Sequence, residues 1–233
     1  MKSKKSFSFE PVSTEAAEIV NIPIPATAFL PEWYKEMEKI DQPRRMENGH
    51  LQLTVKSCMP YFDAITAGYM LTTWSEIRFE DMGDGTVNYE MGSAPQVFAM
   101  RNKHSAPIPS EYHEVEFAWQ IHWQIHTPLG NSTLFMHPLN REDLPFHTSS
   151  GIMDTDQNMF IGVGSLPFYV KKGFTGVIPI GTPFAQLVPF QRDLWESEVM
   201  QLDEKSHDVR KHRLHKYLGG GYRKEIRQHK SWK

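Results

Sequence analysis

One stretch constrains the fold of this chain more than any other. Between Val115 and Ile125 every second residue is a large apolar one (Val115, Phe117, Trp119, Ile121, Trp123, Ile125). Glu114, Glu116, Ala118, Gln120, His122, Gln124 and His126 alternate with them. Successive side chains of a strand point to opposite faces, so this spacing predicts one long strand with one buried face. A row holding two tryptophans and a phenylalanine needs a second layer to cover it.

The rest of the chain supplies that layer in short pieces. Residues 74–80 alternate, Asp81-Met-Gly-Asp-Gly is a turn cluster, and residues 86–91 pair back as a hairpin. Residues 52–58, 133–137, 159–163, 176–180 and 184–190 read as further strands, and Pro189 marks the last as an edge strand or its end. Residues 59–69 suit a helical turn as well as a strand, and residues 101–112 form a polar loop. About eight strands, punctuated by 16 Pro and 15 Gly, suit a mainly β jelly roll, a cupin-like double-stranded β-helix barrel. With 233 residues, 39% of them hydrophobic, one compact domain is expected.

Both ends differ from this core. Residues 1–45 read as an extended arm, because Pro23 and Pro25 remove ladder donors, followed by a short helix that starts at Pro31. Trp33 is expected to staple the arm to the body. The barrel core is assigned to 46–192 and a basic tail to 193–233, helical from about Arg192 to Tyr217 and broken at Gly219-Gly-Gly. Charge follows the same division. Lys205 to Lys233 hold ten Lys/Arg against Asp208 and Glu225, about +8, so residues 1–204 carry about −11 within a net charge of −3. Such a tail fits nucleic acid, a neighbouring subunit in a homo-oligomer, a virion partner, or the acidic body itself.

No segment approaches the roughly 18 apolar residues that span a bilayer, and no apolar run follows the lysines of the first ten residues. A membrane role and a secretory signal are therefore not expected, and cytoplasm or virion is the expected place. Cys58 is the lone cysteine, which removes intrachain disulfides and Cys-rich zinc sites. With no base beside it, Cys58 is expected as a small core residue.

Chemistry has few places to sit. His122 and His126 share a strand face, but four residues at about 3.3 Å each set them about 13 Å apart, too far for one metal ion. His137, His147, Asp154 and Asp156 remain as candidate ligands for a divalent metal, with Asp154-Thr-Asp156 at i, i+2 spacing. The segment His137-Pro-Leu-Asn-Arg-Glu-Asp-Leu-Pro-Phe146-His147 gathers an amide, a guanidinium, two carboxylates and two imidazoles in eleven residues. Arg141 can pair with Asp143 and fix the loop, or offer its fork to an anionic ligand. Asn140, Arg141, Asp143, His122 and Gln124 are the candidate ligand-binding residues. Gly181-Thr-Pro-Phe-Ala-Gln186 bears a loose similarity to the closing strand of dUTPase-type nucleotide hydrolases, whose other motifs are missing here. The phosphate-loop, dinucleotide, nucleophile-elbow and zincin motifs are also missing.

Asn21-Ile-Pro-Ile-Pro-Ala, Leu30-Pro-Glu-Trp-Tyr-Lys, the segment from Thr54 to Tyr69, His137-Pro-Leu-Asn-Arg-Glu-Asp-Leu-Pro-Phe146 and Gly181-Thr-Pro-Phe-Ala-Gln186 resemble, in matching order over residues 20–195, a family of uncharacterised proteins of tailed phages and bacteria. The resemblance implies a phage-type or bacterial origin and carries no activity or catalytic residue. The expected function is a barrel protein that binds a small ligand or a partner subunit. An Fe(II)-dependent cupin-like oxygenase is the alternative, and a β-clip nucleotide-modifying enzyme a further one.

Overall fold

The computed structural model describes residues 5–45, 51–92, 94–101, 107–157, 162–215 and 220–233. The chain opens with β1 (Ser8–Pro11), α1 (Thr14–Ile19) and β2 (Ile24–Pro25). Next come α2 (Glu32–Glu36), β3 (Ile40–Arg45), β4 (Leu51–Leu53) and α3 (Met59–Ile65). The central run is β5 (Tyr69–Thr72), β6 (Ile77–Asp81), β7 (Val87–Met91), β8 (Phe98–Met100), β9 (Phe117–Ile121), β10 (Trp123–His126) and β11 (Asn131–Met136). β12 (Phe146–Thr148), β13 (Gly151–Met153), β14 (Gly164–Val170), β15 (Gly176–Ile178) and β16 (Pro183–Gln191) complete the strands, and α4 (Glu204–His215) and a helical turn over Tyr222–Ile226 follow.

The architecture is mainly β and antiparallel. A five-stranded sheet runs β13-β11-β16-β5-β2, a four-stranded sheet β12-β14-β9-β8 and a three-stranded sheet β15-β6-β7, while β1–β10 and β3–β4 form ribbons. Among the described residues no sheet closes on itself, so open sheets stand where a barrel was expected. The two largest meet face to face: Trp119 of β9 stacks on Phe168 of β14 at 3.7 Å between centroids and on Phe184 of β16 at 4.7 Å. Its indole N–H donates to Thr148 Oγ1 at 3.0 Å, so the fully buried ring leaves no polar atom unmet. Phe79, Phe98 and Phe117 extend the cluster under the three-stranded sheet.

The single long strand expected over residues 115–125 is two strands. β9 pairs with β14 as far as Ile121↔Gly164, and β10 pairs with β1 from Trp123↔Pro11. The chain changes partner at His122, whose carbonyl accepts from Val12 N–H at 3.0 Å. The supposed polar face is also covered: Glu116, Ala118 and His122 are buried. Alternation reported the strand period correctly and could not report that a second partner lay behind it.

Other expectations resolve unevenly. The hairpin at 77–91 forms, in register from Ile77↔Met91 to Asp81↔Val87. The strand expected over residues 52–58 stops at Leu53. A tight turn over Val55–Ser57 leads into α3, with Pro60 in its first turn, where a missing N–H costs nothing. Cys58 is exposed there instead of buried. Pro189 lies in β16, inside a sheet, but β5 pairs only as far as Leu187, so Pro189 has β11 alone beside it. Gly68, at φ 68°, precedes β5; a Cβ there would stand 1.8 Å from the Leu187 carbonyl oxygen, so only glycine fits. Residues 158–161, most of the strand expected over 159–163, lie outside the described residues. In the tail the helix begins at Glu204 and not at Arg192, because Asp203 caps it, accepting from Ser206 N–H at 3.3 Å. No described helix is long and apolar enough to cross a membrane.

Candidate functional site

The segments around residues 21–34, 61–69, 137–146 and 181–186 meet at one end of the sheets. Gln186, fully buried on β16, ties three of them. Its Oε1 accepts from Leu139 N–H at 2.8 Å, and its Nε2 donates to the carbonyls of Ala64 at 2.9 Å and Ala67 at 2.7 Å. The arm joins by Ala26 N–H to Gly68 O at 3.0 Å and by Trp33, whose ring packs edge-on against Tyr61 of α3 at 6.4 Å. Trp33 is thus the staple its position suggested. Tyr34 stacks on Tyr61 at 6.0 Å, with Lys56 Nζ 4.7 Å from the Tyr34 ring centroid.

The loop after β11 is locked by its own polar groups. His137 Nδ1 accepts from Thr148 N–H at 3.2 Å, which requires the ring proton on Nε2, and Nε2 lies 3.2 Å from the Arg141 carbonyl it donates to. Burial, with a smaller contribution from His147, pushes the His137 pKa down to about 4, so the imidazole is neutral at pH 7. Asn140 takes the left-handed conformation, φ 58°, that Asn tolerates better than most residues. Arg141 grips Asp143 with Nε at 2.8 and 3.1 Å and Nη2 at 2.8 Å. Burial raises the Asp143 carboxyl, but Arg141 and Trp33 outweigh it and hold it below the usual range.

The candidate metal ligands separate into two pairs. His137 and His147 stack at 4.8 Å. Asp154 and Asp156 instead hold Arg192: Nη1 lies 3.0 Å from Asp154 Oδ1, and Nη2 contacts Asp156 Oδ2. Ser132 donates to Asp154 at 2.7 Å and Gly130 N–H to Asp156 at 2.7 Å. The Ser132 hydrogen bond chiefly lowers the Asp154 pKa, and Arg192 chiefly lowers that of Asp156. Ser132 lies near the start of β11 and His137 just past its end, five residues and about 17 Å further on, so the two pairs do not converge. Among the described residues no three His, Cys, Asp or Glu side chains stand where they could share a metal ion.

The candidate ligand-binding residues also divide. His122 Nε2 lies 3.2 Å from Gln96 O, and the ring sits edge-on to Trp74 at 5.2 Å, with its pKa lowered by burial. Gln124 lines a cavity of about 40 Å³, room for about one water. Asn140, Arg141 and Asp143 lie on the other loop. Arg141 and Asp143 border an open groove of about 700 Å³ together with Lys171, Lys172, Phe174 and Ile180. Both lysines donate to backbone carbonyls there, Lys171 to Glu142 O at 2.7 Å and Lys172 to Ser110 O at 2.8 Å.

No protein family model and no curated protein matches this chain.

Two features escaped sequence reading. Asp63, on α3, clamps the C-terminal segment: Arg227 grips it with Nη2 at 2.7 Å and Nε at 3.1 and 3.2 Å, and Lys230 reaches it at 2.7 Å. The Arg227 hydrogen bonds are the main reason its pKa is lowered. Nearby, Trp232 packs edge-on to Tyr69 at 6.3 Å, and Tyr69 Oη donates to Lys233 O at 3.0 Å. A lone acid inside Met-Pro-Tyr-Phe-Asp-Ala-Ile was the available signal. The second feature is the strap of residues 193–203. It has no regular structure and leaves Leu194, Trp195, Val199 and Met200 82–103% exposed.

Proposed function

We propose that this protein is a non-catalytic assembly protein: a β body that associates with further copies of itself through the strap and basic helix that follow Arg192. One observation carries this reading. The side chains best suited to chemistry, His137, Arg141, Asp143, Asp154 and Asp156, are committed to internal contacts, whereas large apolar side chains of the strap stand in water. Monomeric soluble proteins seldom leave several such side chains together without a use. The opposite charges of body and tail favour protein partners, and an acidic strap beside a basic helix does so again. The resemblance to tailed-phage proteins fits a component of a virion or of its assembly in a host cell. The facing of the two largest sheets across Trp119 and Phe184 is the feature that most favours a jelly-roll kinship.

Light scattering of the full chain in low and high salt, with and without a DNA oligomer, tests this reading. The expected result is a mass above the 27.0 kDa of one chain, reduced by Trp195→Ser together with Met200→Ser, with the far-UV circular dichroism unchanged. A monomer at every concentration would overturn it. A mass increase only on adding DNA at low salt would give the tail to nucleic acid instead.

A further inference from the structure

A half-open cavity of about 690 Å³ lies beside the C-terminal clamp, within the roughly 300–1,000 Å³ of small-ligand pockets. Its walls are aromatic and apolar: Phe7, Tyr69, Pro189, Phe190 and Trp232 all border it. Phe7 and Tyr69 stack there at 4.9 Å. The rim carries cations. Among the described residues Lys5 reaches amide oxygens, Asn131 Oδ1 at 3.1 Å and Gln191 Oε1 at 3.3 Å, and no carboxylate. Lys233 stands at the same rim.

The strap is the chemical complement of that cavity. Residues 193–203 hold four acids (Asp193, Glu196, Glu198, Asp203) and no base, with Leu194, Trp195, Val199, Met200 and Leu202 between them. It starts two residues beyond β16 and then runs through solvent. Arg192 fixes its origin through Asp154 and Asp156. An apolar cavity with a cationic rim and an exposed apolar segment flanked by carboxylates, both on one chain, are the two halves of a self-complementary contact.

We propose that the strap of one copy seats its apolar side chains in this cavity of a second copy, with its carboxylates on Lys5 and Lys233. This rests on the assembly reading and specifies its surface. Trp195 is the anchor, since large aromatics in desolvated pockets dominate interface energetics.

The test is zero-length carbodiimide coupling of the full chain, which joins lysines to carboxylates in contact. Unlabelled and ¹⁵N-labelled copies are mixed in equal amounts, cross-linked and digested, and the linked peptides are weighed. The expected linkages join Lys5 or Lys233 to Asp193, Glu196 or Glu198, about half of the interchain ones pairing a light with a heavy peptide. Trp195→Ser should reduce them at least tenfold. Linkages that always pair like isotopes would mean that the strap folds back on its own body and would overturn the proposal. So would a multimeric mass without these linkages, which would leave the assembly reading standing. A monomeric mass would sink both.

Discussion

Gln186→Ala is the sharpest test of how the structure holds its loop. The side chain is fully buried and makes three hydrogen bonds to the backbones of two other segments. Removing it strands one N–H (Leu139) and two carbonyls (Ala64, Ala67). An unsatisfied buried group costs about 1–3 kcal/mol, and the truncation also leaves a void. Partial rescue by water lowers the sum, so a loss of about 3–5 kcal/mol is expected. For a domain of this size that corresponds to roughly 6–20 °C in Tm. Gln186→Glu keeps the acceptor for Leu139 but turns an anion toward two carbonyls, so it should not rescue stability at neutral pH. Exposed Gln52→Ala is the control and should stay within about 0.5 kcal/mol. Urea unfolding gives the loss, and hydrogen exchange gives its location: the Leu139 amide should lose protection before the core strands do. If Gln186→Ala matches Gln52→Ala and Leu139 stays protected, the side chain does not hold the loop.

The other expectations concern the core, the loop and pH. Trp119→Ala should cost about 3–5 kcal/mol by denaturant unfolding, and Gln120→Ala little, since among the described residues the Gln120 side chain bonds just the nearby Ala118 carbonyl. Arg141→Ala and Asp143→Ala should each destabilise, and the double variant should cost less than their sum; strict additivity would mean the pair seen at 2.8 Å contributes nothing. His137 has its folded pKa depressed from 6.5 to about 4, so the unfolded chain takes up its proton first as pH falls. Its stabilising contribution is complete above about 6.5 and should decline by roughly 2 kcal/mol by pH 5, flattening below 4. His122 acts in the same direction, so a pH 7 to 5 comparison of urea midpoints should show a smaller loss in His137→Asn but not its abolition.

The sequence made local periods legible and left partners hidden. The hairpin turn at Asp81–Gly85 and the helix after Pro31 follow from residues a few positions apart, where the physics is local. The break at His122 does not, because it depends on β1, more than a hundred residues away, taking over from β14. The pairing of Arg141 with Asp143 was readable because the two lie two residues apart. That Asp154 and Asp156 would be taken by Arg192 was not, and a spacing suited to a metal proved equally suited to a guanidinium. Cys58 was misplaced for a related reason: a strand end would have buried it, but the chain turns at Val55 and exposes it. The tail's composition changes near Leu202 to Lys205, while the strap before it was read as the start of a helix. Only three-dimensional structure brings Arg227 and Lys230 back to Asp63.

The tail leaves the body at Arg192 and is held again at Arg227, with 34 residues between the two anchors. Closing a loop of that length costs about 3 kcal/mol in chain entropy beyond a constant. The clamp on Asp63 can meet much of this, because a carboxylate held by a guanidinium fork and an ammonium is among the stronger polar contacts. The strap receives no such return within one copy. Its five apolar side chains contribute nothing while exposed, yet burying each is worth about 1.5–3 kcal/mol, roughly 8–15 kcal/mol together. Association costs a comparable 4–15 kcal/mol in lost freedom. With the two so closely matched, concentration decides whether the strap is covered, and charge decides by what. Carboxylates spaced along the strap repel another strap and favour the cationic rim of the cavity, so the contact should weaken with salt without vanishing: screening acts on the rim charges within a Debye length of about 10 Å at 0.1 M, and not on Trp195.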